Sequence, residues 1–574
     1  MYLDSLVKVP DAPGKIIYRK KKSGTYVEYL ISNVYDPKVK YARPVRKAIG
    51  KLSEADPSMM VPNENYKKYL PGEELPEEKF DSKRSCCLKA GAFIVLRKII
   101  NDCKLPEILS NYFSEKDLGL FLDLAAYSII SENNAAQYYP DYAYNHPLFT
   151  EKMKVYSDSK ICDFLQSITD DQSVGFLNSW NEGRDHREKI YISYDSTNKN
   201  SNAGDIEIVE YGKPKTDVGL PIVNYSVAYD TENREPLFYE EYPGSINDVS
   251  QLEFMLGRAH GYGYKKIGFI LDRGYFSKKN LERMDEYGYN FIIMVKGMSK
   301  LVDSLILENK GEFENKRAHS IPEYHLYGTT VRARLFPTDR KERYFHLYHS
   351  ISKEAGQREN LEASILKMKK VLHKHQNQVW NFGSNYEHYF DLCYDEKSGA
   401  FVYAEEKIQT IERELNLCGY FVLITSERMT AKEAINIYKS RDASEKLFRA
   451  DKSYLDNKSL RVYSDTSMSA KIFIAFVALI IRCRFYTLLK DAAQEMESKP
   501  NYMTVPAALK ELDKIEMVRH LDGKYRLDHA VTKTQKTILK AFNLTEENIK
   551  YRSEWISETL ENAKKLGEKD GTDN

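Results

Sequence analysis

The sequence lacks the features of a secreted, disulfide-stabilised protein. Its seven cysteines form no CxxC pair, and their odd number does not favour a disulfide framework or a zinc ribbon. The first ten residues, MYLDSLVKVP, contain no apolar core of the kind that a signal peptide needs, so we expect no secretory signal. These absences indicate a reducing compartment, and we expect a cytoplasmic protein.

Long apolar runs, internal repeats and a strong net charge are also missing. The longest strongly apolar run, IFIAFVALII between Lys471 and Arg482, is too short to span a bilayer and predicts a buried core helix over 469–492. We see no internal repeats. A hydrophobic fraction of 42% and a charged fraction of 29% are typical of a globular protein, and 574 residues are enough for several domains.

The net charge of +1 conceals an uneven distribution along the chain. Residues 1–51 contain 12 Lys and Arg against 4 Asp and Glu, a net of +8, whereas residues 52–81 are rich in acid. A local basic patch can bind phosphate by releasing counterions, although a solvated face is the equal alternative for this segment alone.

The pattern along the chain predicts an α/β protein of several parts. Pro- and acid-rich residues separate a β segment from a helical region, after which strands alternate with helices. The predicted parts are a basic N-terminal β segment (1–52), a linker (53–87), a helical domain (88–185), a mixed-sheet core in two pieces (186–300 and 426–492), a β-rich insertion (301–425) and a C-terminal helical region (493–574).

Two acidic residues follow strands of the predicted core. KIYISYDST predicts a strand ending at Asp195, and KIGFILDRGYFS predicts one ending at Asp272. The order from Lys189 is three strands, helix, strand, helix, strand, which calls for a mixed sheet flanked by helices. This order resembles a ribonuclease-H-like fold, in which one acid lies on the first strand and another just after the fourth.

The residues from Thr430 to Tyr454 predict an amphipathic helix. Thr430 and Glu433 form a capping-box pattern, and no Pro or Gly interrupts the apolar periodicity that follows. At about 100° per residue, one helical face collects a phenol, a carboxylate and two cations; they are Tyr438, Arg441, Glu445 and Lys452. Taken alone, such a face is as well explained by solvated side chains with weak ion pairs.

The spacing of these four residues resembles the signature of a large group of bacterial insertion-sequence DDE transposases: Tyr, two residues, Arg, three residues, Glu, six residues, Lys. Asp195-Ser196-Thr197 and Asp272-Arg273-Gly274-Tyr275 look like the first and second acid motifs of that group. Residues 243–248, PGSIND, resemble its Pro-Gly-Asn-x-x-Asp turn, with Ser245 where Asn is usual.

The resemblance implies a catalytic triad of Asp195, Asp272 and Glu445 that binds two Mg²⁺ ions, with Mn²⁺ also accepted. Hard divalent cations favour carboxylate oxygens, and a pair of them suits phosphodiester cleavage. Tyr438, Arg441 and Lys452 would then contact DNA phosphate. Lys296, after the fifth strand, is a further candidate for DNA contact, with a surface lysine as the equal alternative.

The segment between Asp272 and Glu445 is longer than the fold's remaining connection needs, so residues from roughly 300 to 420 form a predicted insertion. In the resembling family, such insertions hold the DNA end. The region before the core often binds the element ends there, so the helical domain 88–185 is a candidate for that role. Aromatic residues there are candidates for stacking on an unpaired base, although core or surface roles are commoner; they are Trp380, Tyr386 and Tyr389. No acid or cysteine of ligand spacing accompanies the histidines at 346, 349, 373 and 375, so we expect them not to bind metal.

Three functions remain open from the sequence. The first is a transposase that cuts element ends and joins them to target DNA; the second is a ribonuclease-H-like nuclease without strand transfer; the third is a DNA-binding protein that has lost catalysis. The intact acids argue against the third. By family analogy the partners are terminal inverted repeats and target DNA, bound by a homodimer in the nucleoid and without a membrane.

Overall fold

A computed structural model describes residues 6–570 except 22–23, 37–39, 54–55, 71–83, 185–188, 204–205, 215–218, 296–298, 340 and 499. Its strands, in chain order, are β1 (Val7–Lys8), β2 (Ile16–Lys21), β3 (Gly24–Asp36), β4 (Tyr41–Leu52), β5 (Met59–Pro62), β6 (Cys87–Lys89), β7 (Ile190–Asn200), β8 (Ile222–Asp230), β9 (Glu235–Pro243), β10 (Ile267–Leu271), β11 (Asn290–Met294), β12 (Ser320–Ile321), β13 (Leu326–Ala333), β14 (Arg343–His349), β15 (Phe390–Tyr394), β16 (Phe401–Glu406), β17 (Tyr420–Thr425), β18 (Glu516–Arg519) and β19 (Tyr525–Leu527).

The α-helices, in the same order, are α1 (Glu64–Tyr69), α2 (Gly91–Asp102), α3 (Leu105–Leu109), α4 (Glu115–Ser131), α5 (Tyr139–Asn145), α6 (Asp158–Ser167), α7 (Asp170–Glu182), α8 (Asp248–Gly261), α9 (Lys278–Glu286), α10 (Ser299–Asn309), α11 (Ile351–Lys374), α12 (Ser384–Tyr389), α13 (Ile408–Leu417), α14 (Ala431–Ser440), α15 (Asp442–Arg449), α16 (Asp465–Gln494), α17 (Val505–Leu512), α18 (Lys533–Ala541) and α19 (Glu546–Asp570).

The described residues divide into two compact units. The first comprises Met1–Gln172, Tyr454–Asp456 and Ala470–Asn574, and the second comprises Ser173–Ser453 and Asn457–Ser469. The first contains an antiparallel sheet in the order β1-β5-β4-β3-β2, a small sheet in the order β19-β18-β6, and most of the helices of the N- and C-terminal regions. Strand β5 and helix α1 lie in the segment that the sequence predicts as a linker.

The apolar run in the first unit forms part of α16, a 30-residue helix that is longer than the predicted 469–492. By length and composition alone α16 could cross a membrane, so the predicted reason for excluding that role, a short apolar run, is wrong. However, 78% of its most apolar stretch is buried inside the protein. The predicted buried core helix is therefore confirmed by burial.

The second unit is built on one mixed sheet in the order β12-β13-β14-β17-β11-β10-β7-β8-β9. Strands β7, β8 and β9 are antiparallel neighbours, whereas β10 runs parallel to β7 and β11 runs parallel to β10. The predicted mixed-sheet core with flanking helices is confirmed. Four strands of the predicted insertion, β12, β13, β14 and β17, extend this same sheet through antiparallel pairing beside β11.

The rest of the insertion forms a smaller module. The hairpin β15–β16 and helices α11, α12 and α13 share an apolar cluster centred on Phe382, Phe390 and Phe401. Helix α11 has 24 residues. Tyr386 packs against this cluster, Tyr389 donates a hydrogen bond to Glu414 at 2.7 Å, and Trp380 stacks on His375 at 3.8 Å between ring centroids.

The predicted helix over 430–454 begins as expected but is not continuous. Thr430 caps α14, and both hydrogen bonds of the capping box with Glu433 are present. A turn at Arg441 separates α14 from α15, and residues Ala450–Tyr454 form a π-helical turn. Because a π turn adds a residue to the helical repeat, the simple wheel that placed Lys452 on the face of Glu445 does not hold beyond Arg449.

Candidate active site

The register of two parallel strands brings the first two predicted acids together. Tyr194 of β7 pairs with Leu271 of β10, and these are the last paired residues of the two strands. Asp195 and Asp272 come directly after them, on strands that lie about 4.8 Å apart. The two carboxylates therefore start from the same edge of the sheet.

Asp195 does not end its strand as the sequence predicts. Strand β7 continues to Asn200 because its other neighbour, β8, keeps pairing from Asp195–Val227 to Asn200–Ile222. Asp195 thus lies where β7 leaves β10 but stays in the sheet, which fixes its backbone on one side. Its carboxylate accepts a hydrogen bond from the Ser196 amide at 2.8 Å.

Asp272 is the N-cap of the short 3-10 turn Arg273–Tyr275 and accepts a hydrogen bond from the Arg273 amide at 2.8 Å. Its side chain is 41% exposed. The Asp272 carboxylate therefore uses one oxygen for the backbone and is partly exposed to solvent. Its remaining lone pairs can bind a cation.

Arg441 is the centre of the site. One guanidinium nitrogen lies 3.6 Å from Asp272 Oδ1, and the other donates to Glu445 Oε1 at 2.8 Å. The Arg441 side chain is only 16% exposed, so it lies under the two acids rather than in solvent. Glu445 lies on the first turn of α15, four residues after Arg441, and is 55% exposed.

Electrostatics connect Asp195 to the same guanidinium. Burial lowers the pKa of Arg441, but the nearby Tyr438 phenol and the carboxylates of Asp272, Glu445 and Asp195 reverse that effect and raise the pKa above its ordinary value. Acids from three distant positions of the chain therefore act on one cation.

Tyr438 lies beneath Arg441, whose guanidinium is 5.6 Å from the ring centroid. The ring is 7% exposed and belongs to an apolar cluster between α14 and the sheet that includes Ile270 and Ile292. Burial, with help from the Asp272 and Glu445 carboxylates, raises the pKa of Tyr438 to about 12. The phenol keeps its proton at neutral pH and can donate a hydrogen bond.

The remaining predicted residues are placed differently. Lys452 is half-buried within the π-helical turn, beyond the regular helix that carries Glu445. Lys296 lies outside the described residues. Of the predicted set, Arg441 contacts Asp272, Glu445 and the ring of Tyr438, and Asp195 starts from the same sheet edge as Asp272.

Two buried polar contacts that sequence reasoning missed join α15 and the π turn to β7. Ser444 Oγ donates to Ser193 Oγ at 2.5 Å, so the residues just before Glu445 and two before Asp195 are tied together. Farther along, the fully buried Lys199 forms an ion pair with the equally buried Asp451. Lys199 lies in the polar sequence Ser-Thr-Asn-Lys-Asn, beyond the predicted end of the strand, so no local pattern indicated its burial or its partner.

The Lys199–Asp451 pair is well satisfied. Asn457 Nδ2 donates to Asp451 Oδ1 at 2.9 Å, and Lys199 also donates to the Asn457 carbonyl at 3.2 Å. The ammonium lies 4.6 Å from the centroid of the Tyr225 ring. Burial lowers the pKa of Lys199, and Asp451 opposes that shift. The pair fixes the π turn against the strand that carries Asp195.

The donor chemistry of the site suits a hard divalent cation, because its acids offer carboxylate oxygens. Arg441, however, pairs with two of them, and no group of three Asp, Glu, His or Cys side chains within the described residues is placed to hold a metal ion. Of the histidines that we expect not to bind metal, His346 is hydrogen bonded to Thr330 and Thr425, and His349 is hydrogen bonded to Glu354.

Comparison with known proteins gives one match that bears on this site. Residues 197–481 match the family model described as "Transposase DDE domain". This range contains Asp272, Tyr438, Arg441 and Glu445, and it begins two residues after Asp195. The chain therefore contains a segment similar to a transposase DDE domain.

The structural match to this chain is weak. A cryo-EM structure of the piggyBac transposase synaptic complex with hairpin DNA aligns with 82% of this chain and 74% of its own, at 9% identity and a TM-score of 0.32. These values are too low to support any conclusion about this chain. No curated protein matches it.

Proposed function

We propose, from the similarity of residues 197–481 to a transposase DDE domain, that this chain is the transposase of a bacterial insertion sequence. It would cut the ends of the element and join them to target DNA. The observations that support the proposal are the contacts of Arg441 with Asp272 and Glu445, and the position of Asp195 on the strand that pairs with the strand before Asp272.

The three acids would hold two Mg²⁺ ions, with Mn²⁺ accepted in their place. Bound there, the ions would supply activation of the attacking oxygen and stabilisation of the leaving oxygen in phosphodiester cleavage. Three nearby carboxylates repel one another by about 1 kcal/mol per pair at 4 Å even in water, and more when partly buried. Arg441 offsets this repulsion in the arrangement described here.

The positive charge of Arg441 would have a second role, in binding DNA. With Asp272 and Glu445 holding metal, the guanidinium of Arg441 would be released from its carboxylate partners and could form a bidentate contact with a DNA phosphate. Arg441 lies four residues before Glu445 on the helical surface, so its guanidinium would stay within reach of the Glu445 carboxylate and of a phosphate bound beside it. Arg441 would thus hold the acids together before DNA binds and the scissile strand afterwards.

Tyr438 and Lys452 complete the proposed DNA contacts. The protonated phenol of Tyr438 would donate a hydrogen bond to a phosphate near the scissile bond, and Lys452 would supply positive charge. The partners would be the terminal inverted repeats and target DNA, bridged by a homodimer in the cytoplasm at the nucleoid. Lys296 and the insertion's Trp380 stay as further candidates for DNA contact.

A nuclease that cuts without joining is the competing proposal, and one experiment separates the two. The protein is incubated with a duplex ending in the element's terminal inverted repeat, Mg²⁺ and a supercoiled plasmid. We expect cleaved ends and joined products, both lost in Asp195→Ala. Cleavage without any joined product would support the nuclease, and full cleavage by Asp195→Ala would refute the site.

Control variants make the result specific. Glu232→Gln, at an exposed acid in the β8–β9 turn of the same unit, removes one negative charge without touching the site and should leave both products unchanged. Duplex binding without cleavage by the wild-type chain, at any Mg²⁺ or Mn²⁺ concentration, would instead favour a DNA-binding protein that has lost catalysis.

A further inference from the structure

The hairpin of β3 and β4 extends beyond the N-terminal sheet. Strand β2 pairs with β3 only over Gly24–Tyr29, and β5 pairs with β4 only over Gly50–Leu52. Past these points β3 and β4 pair with each other alone among the described residues, out to Asp36–Tyr41. We call residues 32–36 and 41–45 the ribbon, with Arg46 and Lys47 at its base; at about 3.3 Å per residue its paired strands reach roughly 17 Å.

The ribbon has no core of its own. Val34 and Tyr35 are successive strand residues and therefore point to opposite faces, yet they are 55% and 61% exposed. Tyr41 and Val45 are also exposed, at 57% and 36%. A two-stranded ribbon with apolar and aromatic side chains open on both faces is marginally stable alone, which indicates that it is completed by a partner.

The charges of the ribbon favour a polyanion. Tyr41, Arg43, Val45 and Lys47 alternate along β4 and so share one face, which carries two cations beside an aromatic ring. Arg46 lies at the base, where it donates to the Lys15 carbonyl at 2.9 Å. The segment around the ribbon, residues 1–51, carries 12 basic against 4 acidic residues.

The backbone opposes the alternative of pairing with a second copy of the chain. Pro44 has no amide hydrogen to donate, and a bulge between Leu30 and Ser32 twists the strand at the base of the ribbon. Charged edges, proline and bulges are the features that prevent strands from adding to one another. Two copies of this basic surface would also repel each other.

We propose that the ribbon is a DNA-binding arm that enters a groove of duplex DNA, with Arg43, Arg46 and Lys47 against the phosphates. The major groove, about 12 Å wide and 8.5 Å deep, admits a two-stranded β-ribbon. The choice of DNA over other polyanions rests on the proposed transposase function. The sequence placed end binding in the helical domain 88–185, whereas the ribbon belongs to the preceding β segment.

The test measures binding of the full-length protein to a fluorescein-labelled 30-base-pair duplex as salt is varied. Arg43→Gln/Arg46→Gln/Lys47→Gln is compared with Lys510→Gln/Lys533→Gln/Lys540→Gln, which removes the same charge from exposed C-terminal positions. We expect the ribbon variant to bind about tenfold or more weakly at 0.1 M salt. Its salt slope should fall by about 2 to 3, at about 0.9 per lost phosphate contact, while the control changes little.

A second variant removes the outer part of the ribbon, with Arg43, and keeps Arg46 and Lys47. Asn-Gly replaces residues 33–44, so that the pair Ser32–Val45 closes on a two-residue turn. An unchanged melting temperature with a clear loss of affinity supports the arm. Wild-type affinity in both ribbon variants, or an equal loss in the charge control, would overturn it. A change of oligomeric state by light scattering with unchanged DNA affinity would assign the ribbon to self-association instead.

The two proposals fail separately. If the wild-type chain neither cuts nor joins DNA but loses duplex binding in the ribbon variants, the arm stands and the transposase proposal falls. If Asp195-dependent cleavage is present and the ribbon variants bind and cut as the wild type does, the arm alone is refuted.

Discussion

Replacing Arg441 with Gln should show how strongly the three acids depend on one cation. The substitution keeps a polar side chain of similar length but removes the charge that faces Asp272 at 3.6 Å and Glu445 at 2.8 Å. Because both carboxylates are more than a third exposed, solvent screens these pairs, and each is worth about 0.5–1 kcal/mol. Adding the renewed repulsion among the acids, we expect a total loss of about 1–3 kcal/mol in unfolding free energy.

The assay is urea denaturation of wild type and Arg441→Gln at neutral pH, without and with Mg²⁺. If the acids form a cation site, Mg²⁺ should restore more stability to the variant than to the wild type, because it supplies the missing positive charge. The deficit should also shrink near pH 3, where carboxylates are protonated and no longer repel. Arg428→Gln, at an exposed arginine just before α14, is the control and should behave as wild type.

Two results would refute this reasoning. A deficit that is equal at pH 7 and pH 3 would mean that Arg441 acts through packing rather than charge. An Mg²⁺ effect of the same size in the variant and the wild type would mean that the acids do not share a cation site.

Further predictions concern the groups that support the site. Since burial raises the pKa of Tyr438 to about 12, against about 10 in the unfolded chain, wild type should lose about 2–3 kcal/mol relative to Tyr438→Phe as pH rises from 10 to 12; parallel curves would refute this. Lys199→Met leaves buried Asp451 without its cation and should cost about 3–5 kcal/mol in urea unfolding, whereas adding Asp451→Leu should recover most of it. If the double variant regains no stability, the unpaired Asp451 charge is not the cause of the loss in Lys199→Met. Ser444→Ala leaves the buried Ser193 hydroxyl without its donor and should cost about 1 kcal/mol, with a larger fall in cleavage rate than in DNA affinity; equal falls would argue against a positioning role.

The sequence predicted the elements that local patterns specify. The Thr430–Glu433 capping box, the strand order of the core and the position of Asp272 after its strand follow from period, capping and turn signals within a few residues. The convergence of Asp195 with Asp272 then follows from the register of two adjacent parallel strands. These features depend on neighbours along the chain or on simple strand order.

Features set by long-range packing were not predictable in the same way. The turn at Arg441 and the π turn after Arg449 have no proline or glycine to mark them. They depend on contacts with a strand some 250 residues earlier, where Ser193 accepts a hydrogen bond from Ser444 and Lys199 donates one to Asp451. Likewise, strands of the insertion extend the core sheet because β11 has a free edge for β17, which no local pattern reveals.

The central claim is that Asp195, Asp272 and Glu445 act as one metal-dependent site on DNA, and one measurement tests it most directly. Cleavage and joining of an inverted-repeat duplex are followed with increasing Mn²⁺ in wild type, Asp195→Ala, Asp272→Ala and Glu445→Ala, alongside Glu232→Gln. We expect both products only in wild type and the Glu232 control, although every variant binds the duplex. Full activity in any one of the three acid variants would contradict the account.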